Sequence, residues 1–253
     1  HFHMTTTTGG AANVMSWMEE WLQTEWPNLK VFLTSVTEQW SVISISGPKS
    51  RQILNELNCN INFSNKSFPF MTFKEGKIGE IPVRIFRISF TGELSFEINV
   101  PSRFGLFVWE KILKIGSKYE LMPYGTEAMH VLRAEKGFII AGQETDGSVN
   151  PIDLGMNWIV SKKKHDFIGK KSLSISSSLK NRKQLVGILT DNPSKLLPEG
   201  AHAVKNINQR APFEMLGHVT SSYYSPNCKR SIALALIKNG HSMYGETLNF
   251  PLL

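Results

Sequence analysis

Apolar and polar positions alternate along residues 94–100 with a period of two. Leu94, Phe96, Ile98 and Val100 fall on one face and Ser95, Glu97 and Asn99 on the other. That is the pattern of a half-buried strand, and it turns Glu97 away from the apolar core. The run 78–90 alternates in the same way and predicts another strand. Earlier, Val14, Met15, Met18, Trp21 and Leu22 recur at helical spacing, with Pro27 closing the helix. The alternation and threonine content of residues 1–8 predict a strand before it, with Gly9 and Gly10 making the turn. Residues 32–46 read as two strand-like runs around Thr37-Glu38-Gln39, and 47–57 as a short helix with Pro48 near its start. Helical stripes return at 104–116, where Phe107, Val108, Ile112 and Ile115 share a side, and at 126–136.

Helices mixed with antiparallel pairs indicate an α+β region. Beyond residue 184 the rhythm changes. The runs 185–189, 215–221 and 231–237 are short and separated by glycine, proline and asparagine, as in a small β-barrel or sandwich. The expected division is an α+β region over 1–178 and a C-terminal β-barrel over 179–253, with a serine- and lysine-rich linker near 172–184. Both ends read as interior to a fold, since 1–8 starts as a strand without a lead and 246–253 ends as one. A piece of something longer is expected.

With 253 residues, 41% of them hydrophobic, the chain can bury one substantial core or two smaller ones. No apolar run is long enough to span a bilayer and the start lacks the features of a secretory signal, so no membrane partner and a cytoplasmic location are expected. Cys59 and Cys228 have neither metal-ligand spacing nor company for a disulfide framework, so we expect reduced thiols and no metal. The net charge of +7 gathers at Lys162, Lys163, Lys164, Lys170, Lys171, Lys180, Arg182 and Lys183. No nucleic-acid module or stacking aromatics accompany the cluster, so no nucleic-acid partner is expected. An acidic ligand drawn in by the field and a merely solvated linker both stay open. From periodicity alone, Glu97 reads as a solvated strand carboxylate, because glutamate is rarely buried without a partner.

Phe90-Thr91-Gly92-Glu93-Leu94-Ser95-Phe96-Glu97, then Leu132-Arg133-Ala134-Glu135-Lys136-Gly137, then the segment 151–158 follow one another in the order of a known signature. On these motifs the chain resembles the aminomethyltransferase family over essentially its whole length. That family includes the T-protein of the glycine cleavage system, and its module is fused into dimethylglycine dehydrogenases and the alpha subunit of heterotetrameric sarcosine oxidase. The wording of residues 3–12, 34–40, 123–139 and 155–164 is most similar to the C-terminal half of that alpha subunit.

The resemblance implies a T-protein-like folate-binding fold and tetrahydrofolate as cofactor. It implies one-carbon transfer from an aminomethyl or iminium donor, giving 5,10-methylenetetrahydrofolate, in sarcosine or glycine catabolism. A small amine-derived donor and flavin-containing oxidase subunits are the implied partners. Glu97 matches the family glutamate, whose carboxylate accepts the two adjacent donors on the pterin edge. Arg133 matches the arginine of the LR-x-E-x-G motif, whose donor fork suits a pterin or benzoyl-glutamate carbonyl. Read from its own helix, Arg133 is equally a structural arginine paired with Glu135 or another carboxylate.

Thr7 stands where the family has an asparagine that reaches the pterin, with Thr5 and His3 on the same strand face. Phe90 replaces a family tyrosine and keeps an aromatic wall, while Trp158 matches a tryptophan that stacks on ligand or sits in the core. The family aspartate held responsible for proton handling belongs to a segment upstream of His1, so no catalytic residue is named. A non-catalytic folate-binding subunit of an amine oxidase complex stays open. So does a folate-dependent iron–sulfur maintenance factor, similar at Lys136-Gly137 and Gly142-Gln143-Glu144. Such factors, however, place a cysteine where this chain has Phe138.

Overall fold

The computed structural model describes residues 2–208 and 212–252. They divide into two compact units, His1–Ser89 with Glu93–Pro123, and Phe90–Gly92 with Tyr124–Leu253. The first unit runs α1 (Ala11–Thr24), β1 (Trp40–Ser46), α2 (Ser50–Glu56), β2 (Phe73–Ile78), β3 (Ile81–Phe86), β4 (Ser95–Pro101) and α3 (Gly105–Gly116). Its strands form an antiparallel sheet in the order β1-β4-β3-β2, which makes β4 an interior strand. The register sets Glu97 opposite Ser44 of β1 and Phe86 of β3.

As the alternation predicts, Phe96, Ile98 and Val100 of β4 are fully buried, packed with Ile43, Ile45 and Ile85 from the sheet and with Ile53, Leu54, Val108 and Ile112 from α2 and α3. Removing each such side chain from water contributes roughly 1.5–3 kcal/mol. Phe63, Phe68 and Phe96 close one end of this core with ring centres 5.6–6.1 Å apart. Gly105 starts α3 because a Cβ there would lie 2.4 Å from Ser41 Oγ.

In the first unit three strand expectations change. The run 78–90 is the second half of a hairpin: β2 ends at Ile78, its register partner Ile81 opens β3, and Gly79 turns between them at φ +59°. Residues 2–7 form no strand, and neither do 32–36, although Trp40–Ser46 does. Strand propensity is realised only against a neighbouring ladder, and no described strand pairs with either segment.

The second unit contains α4 (Thr126–Glu135), α5 (Lys170–Ser178), β5 (Lys183–Leu189), β6 (His202–Val204), β7 (Met215–Ser225) and β8 (Arg230–Lys238), with the strands ordered β5-β8-β7-β6. Small side chains fill its core: Val186, Ala203, Ala235 and Ile237 in one cluster, Leu197, Val219 and Ala233 in another. Gly217 lets β7 and β8 approach closely, since a Cβ there would fall 1.9 Å from the Leu236 carbonyl oxygen. The division into compact units falls between Pro123 and Tyr124, with α4 packed on β7 and β8. The expected linker is partly the helix α5. The run 246–252 is not a strand; Asn249 makes an isolated bridge to Val204, and residue 253 lies outside the described residues. No helix among the described residues is long and apolar enough to cross a membrane.

Candidate functional site

On the face of the first sheet away from its core, alternate residues of three strands converge around Glu97. Ser95 hydrogen-bonds Ser46 at 2.8 Å and Ser44 at 3.5 Å, and Asn99 lies opposite Arg84. Arg84 gives its Nε and Nη2 protons to Glu75 Oε1 at 3.0 and 2.8 Å and lies 5.2 Å from the centre of the Trp40 ring. Phe86 sits between Phe73, stacked at 5.5 Å, and His3, at 6.1 Å. Burial and then the Arg84 charge push the His3 imidazole below its ordinary value.

Glu97 itself is half-buried. Burial alone pushes its carboxyl above the ordinary value, and no hydrogen bond or ion pair among the described residues offsets that cost. This polar face is therefore not bulk solvent, as Ser95 and Asn99 are themselves buried. The serines and Asn99 went unassigned in the sequence, although Ser44 and Ser46 alternate in β1 as Glu97 and Asn99 do in β4.

Thr5 and Thr7 are exposed in the irregular segment 2–7, where the Thr7 carbonyl accepts the Gly10 N–H at 3.0 Å. They share no strand face; from that segment the His3 ring lies beside Phe86, the register neighbour of Glu97. In the second unit, Phe90 is half-buried beside Thr91, whose buried hydroxyl has no partner among the described residues. Gly92 turns at φ +78°, where a Cβ would meet the Lys136 side chain at 2.1 Å. Trp158 is 68% exposed on a single 3-10 turn, so it is not a core residue.

Arg133 is completely buried; both of its terminal nitrogens are held, while its Nε has no partner among the described residues. Its Nη1 donates to the Phe138 carbonyl at 2.9 Å and to Glu144 Oε2 at 3.1 Å, and its Nη2 to Ser221 Oγ at 2.6 Å. Glu144, equally buried, also accepts the Ile140 N–H at 2.7 Å and the Ser221 hydroxyl. Glu135, only two positions along α4, is turned elsewhere, to Ser225 and Asn227. The cluster ties the end of α4 to the loop 138–144 and to the bulge between Val219 and Ser221 in β7.

A family model described as the GCVT N-terminal domain matches residues 1–164, and one described as the glycine cleavage T-protein C-terminal barrel domain matches residues 183–252. The chain belongs to the glycine cleavage T-protein family. Within and around this T-protein family, the sarcosine oxidase subunit alpha of Corynebacterium sp. (strain P-1) is 51% identical over 99% of this chain and 26% of its own length. An aminomethyltransferase of Thermoanaerobacter sp. (strain X514) is 29% identical over 98% of this chain and 64% of its own. The crystal structure of the glycine cleavage system aminomethyltransferase T from Bartonella henselae shares the fold, with a TM-score of 0.76 at 22% identity over 96% of this chain and 62% of that one. The T-protein module described here thus spans about a quarter of the sarcosine oxidase subunit and under two thirds of the aminomethyltransferase.

Proposed function

We propose that this T-protein-like module binds tetrahydrofolate through Glu97 and serves one-carbon transfer from an aminomethyl or iminium donor. The observation that carries the reading is a half-buried carboxylate, on an interior strand, without a partner among the described residues. Such a group costs stability unless something supplies donors to it, and the reduced pterin edge carries two, side by side. The residues fit the group on that ground. When bound, tetrahydrofolate supplies the nitrogens that accept the one-carbon unit, giving 5,10-methylenetetrahydrofolate.

Glu97 would orient the pterin, with Ser44 and Phe86 flanking it in register. Thr5 and Thr7 are proposed as lining groups. Arg133 we assign as a positioning residue that fixes the loop 138–144, because both of its terminal nitrogens are committed to protein acceptors. Similarity to sarcosine oxidase subunit alpha supports a donor derived from sarcosine and a place beside flavin-bearing oxidase subunits.

Calorimetric titration with tetrahydrofolate tests the site. Charge-assisted hydrogen bonds are worth about 1.5–3 kcal/mol, so Glu97→Gln should weaken binding roughly ten- to a hundredfold. Equal affinity in the two proteins would remove the assignment. Formation of 5,10-methylenetetrahydrofolate by the native full-length protein separates transfer from binding alone.

A further inference from the structure

Around the aromatic end of the first unit's core stand three cations that no carboxylate among the described residues meets. Arg51 in α2 and Arg87, just past β3, hold their guanidinium carbons 5.8 and 5.0 Å from the centre of the Phe96 ring, and Arg87 lies 5.6 Å over Phe70. Lys74 of β2 lies 5.6 Å over Phe68, whose ring packs on Phe96 at 5.7 Å. Apart from Arg230, which donates to the Thr190 carbonyl, the other half-buried and buried arginines among the described residues meet carboxylates: Arg84 with Glu75, Arg133 with Glu144, Arg182 with Asp153. Here the acceptors are neutral. Arg51 Nη2 donates to Asn65 Oδ1 and Arg87 Nη1 to the Ser95 carbonyl at 3.0 Å, while the Nε of each is buried without a partner among the described residues.

A guanidinium has five donors in a fixed fork, so most of the capacity of this pair is unused. Ring faces attract each cation singly but do nothing for the repulsion between two that share one ring. The strain registers on Arg87, whose pKa is lowered by burial and then by the Arg51 charge. An anion held between the two forks would remove both costs. Phe96 points to the opposite face of β4 from Glu97, so this place is separate from the proposed folate carboxylate and does not depend on it.

We propose that Arg51 and Arg87 together form a binding site for a small oxyanion, a carboxylate or phosphate group, with the exposed ring of Phe70 and the ammonium of Lys74 at its margin. Bidentate capture by two forks suits a planar carboxylate or a phosphate face, and it disfavours a spherical halide that accepts at one point.

The test uses the native full-length protein at low ionic strength, where screening is weak. The arginine Nε–H resonances are followed while inorganic phosphate and, separately, malonate are added. The signals of Arg51 and Arg87 are expected to move together with one midpoint. Arg51→Gln should weaken that midpoint at least about tenfold, the scale of one charge-assisted contact. Tighter binding of phosphate would mark a phosphoryl ligand and tighter binding of malonate a carboxylate, and either result supports the site. Arg87→Lys keeps the charge over Phe96 where Arg87→Gln risks the fold, and it should show a similar loss because the fork is gone. Arginine signals that ignore both anions, or midpoints unchanged in both variants, would overturn the proposal.

Discussion

Two carboxylates divide this molecule between them. Glu144, in the second unit, is wholly buried and has every oxygen occupied, by Arg133, by the Ile140 N–H and by Ser221. Glu97, in the first, is half-buried with no partner among the described residues, and burial raises its pKa. Satisfied polar groups in a dry place hold a structure together and cost heavily to break, whereas an unsatisfied one is a standing cost that folding alone does not repay. The first therefore reads as framework and the second as a place kept for a ligand. By the same standard Arg133 belongs with the framework, although its motif is as much a part of the family signature as the one that ends in Glu97.

The sharpest way to break this contrast is Arg133→Met. Leaving Glu144 buried and unpaired should cost about 3–5 kcal/mol in chemical denaturation. The double variant Arg133→Met with Glu144→Leu should recover most of it, because an apolar pair leaves no charge behind. A single variant within about 1 kcal/mol of the parent would mean that the cluster is not the framework described. Ser221→Ala comes next, at roughly 1–3 kcal/mol, since the hydroxyl serves both partners of the pair.

Glu97→Gln should act in the opposite direction and more weakly. Its raised folded pKa means that both states are protonated below the ordinary carboxylate range. As pH rises from the ordinary to the raised value, the unfolded state ionises while the desolvated carboxyl of the folded state keeps its proton, and stability is lost until the folded group ionises too. The amide avoids that loss, so the variant should melt higher than the parent at neutral pH, and the gap should close on acidification. A gap that persists at acid pH would point to packing instead of charge. Least of all should change with Lys163→Gln on the exposed basic loop, which is expected to stay within about 0.5 kcal/mol of the parent.

Much of this was legible before any coordinates. The helix expected over 104–116 is Gly105–Gly116, and the alternation of 94–100 gave both the strand and the direction of Glu97. Periodicity succeeds there because one face meets a core. It misled at residues 2–7, where threonines favour a strand but no described neighbour completes a ladder; at 78–90 it found the strand Ile81–Phe86 and missed the reversal at Gly79. The partner of Arg133 was beyond reach of local reading. Glu135 is nearest in sequence yet faces another side of the helix, while Glu144 arrives from a loop eleven residues on. Burial of Ser95 and Asn99 was likewise invisible, because alternation assigns a face without saying what covers it.

The carboxyl carbon of Glu97, followed by NMR across pH in the free and tetrahydrofolate-bound protein, puts the central claim to its most direct test. It should titrate above the ordinary glutamate value when free and fall when the ligand binds, as donors come to favour the ionised form. A carboxyl that titrates at the ordinary value and does not respond to tetrahydrofolate would contradict it.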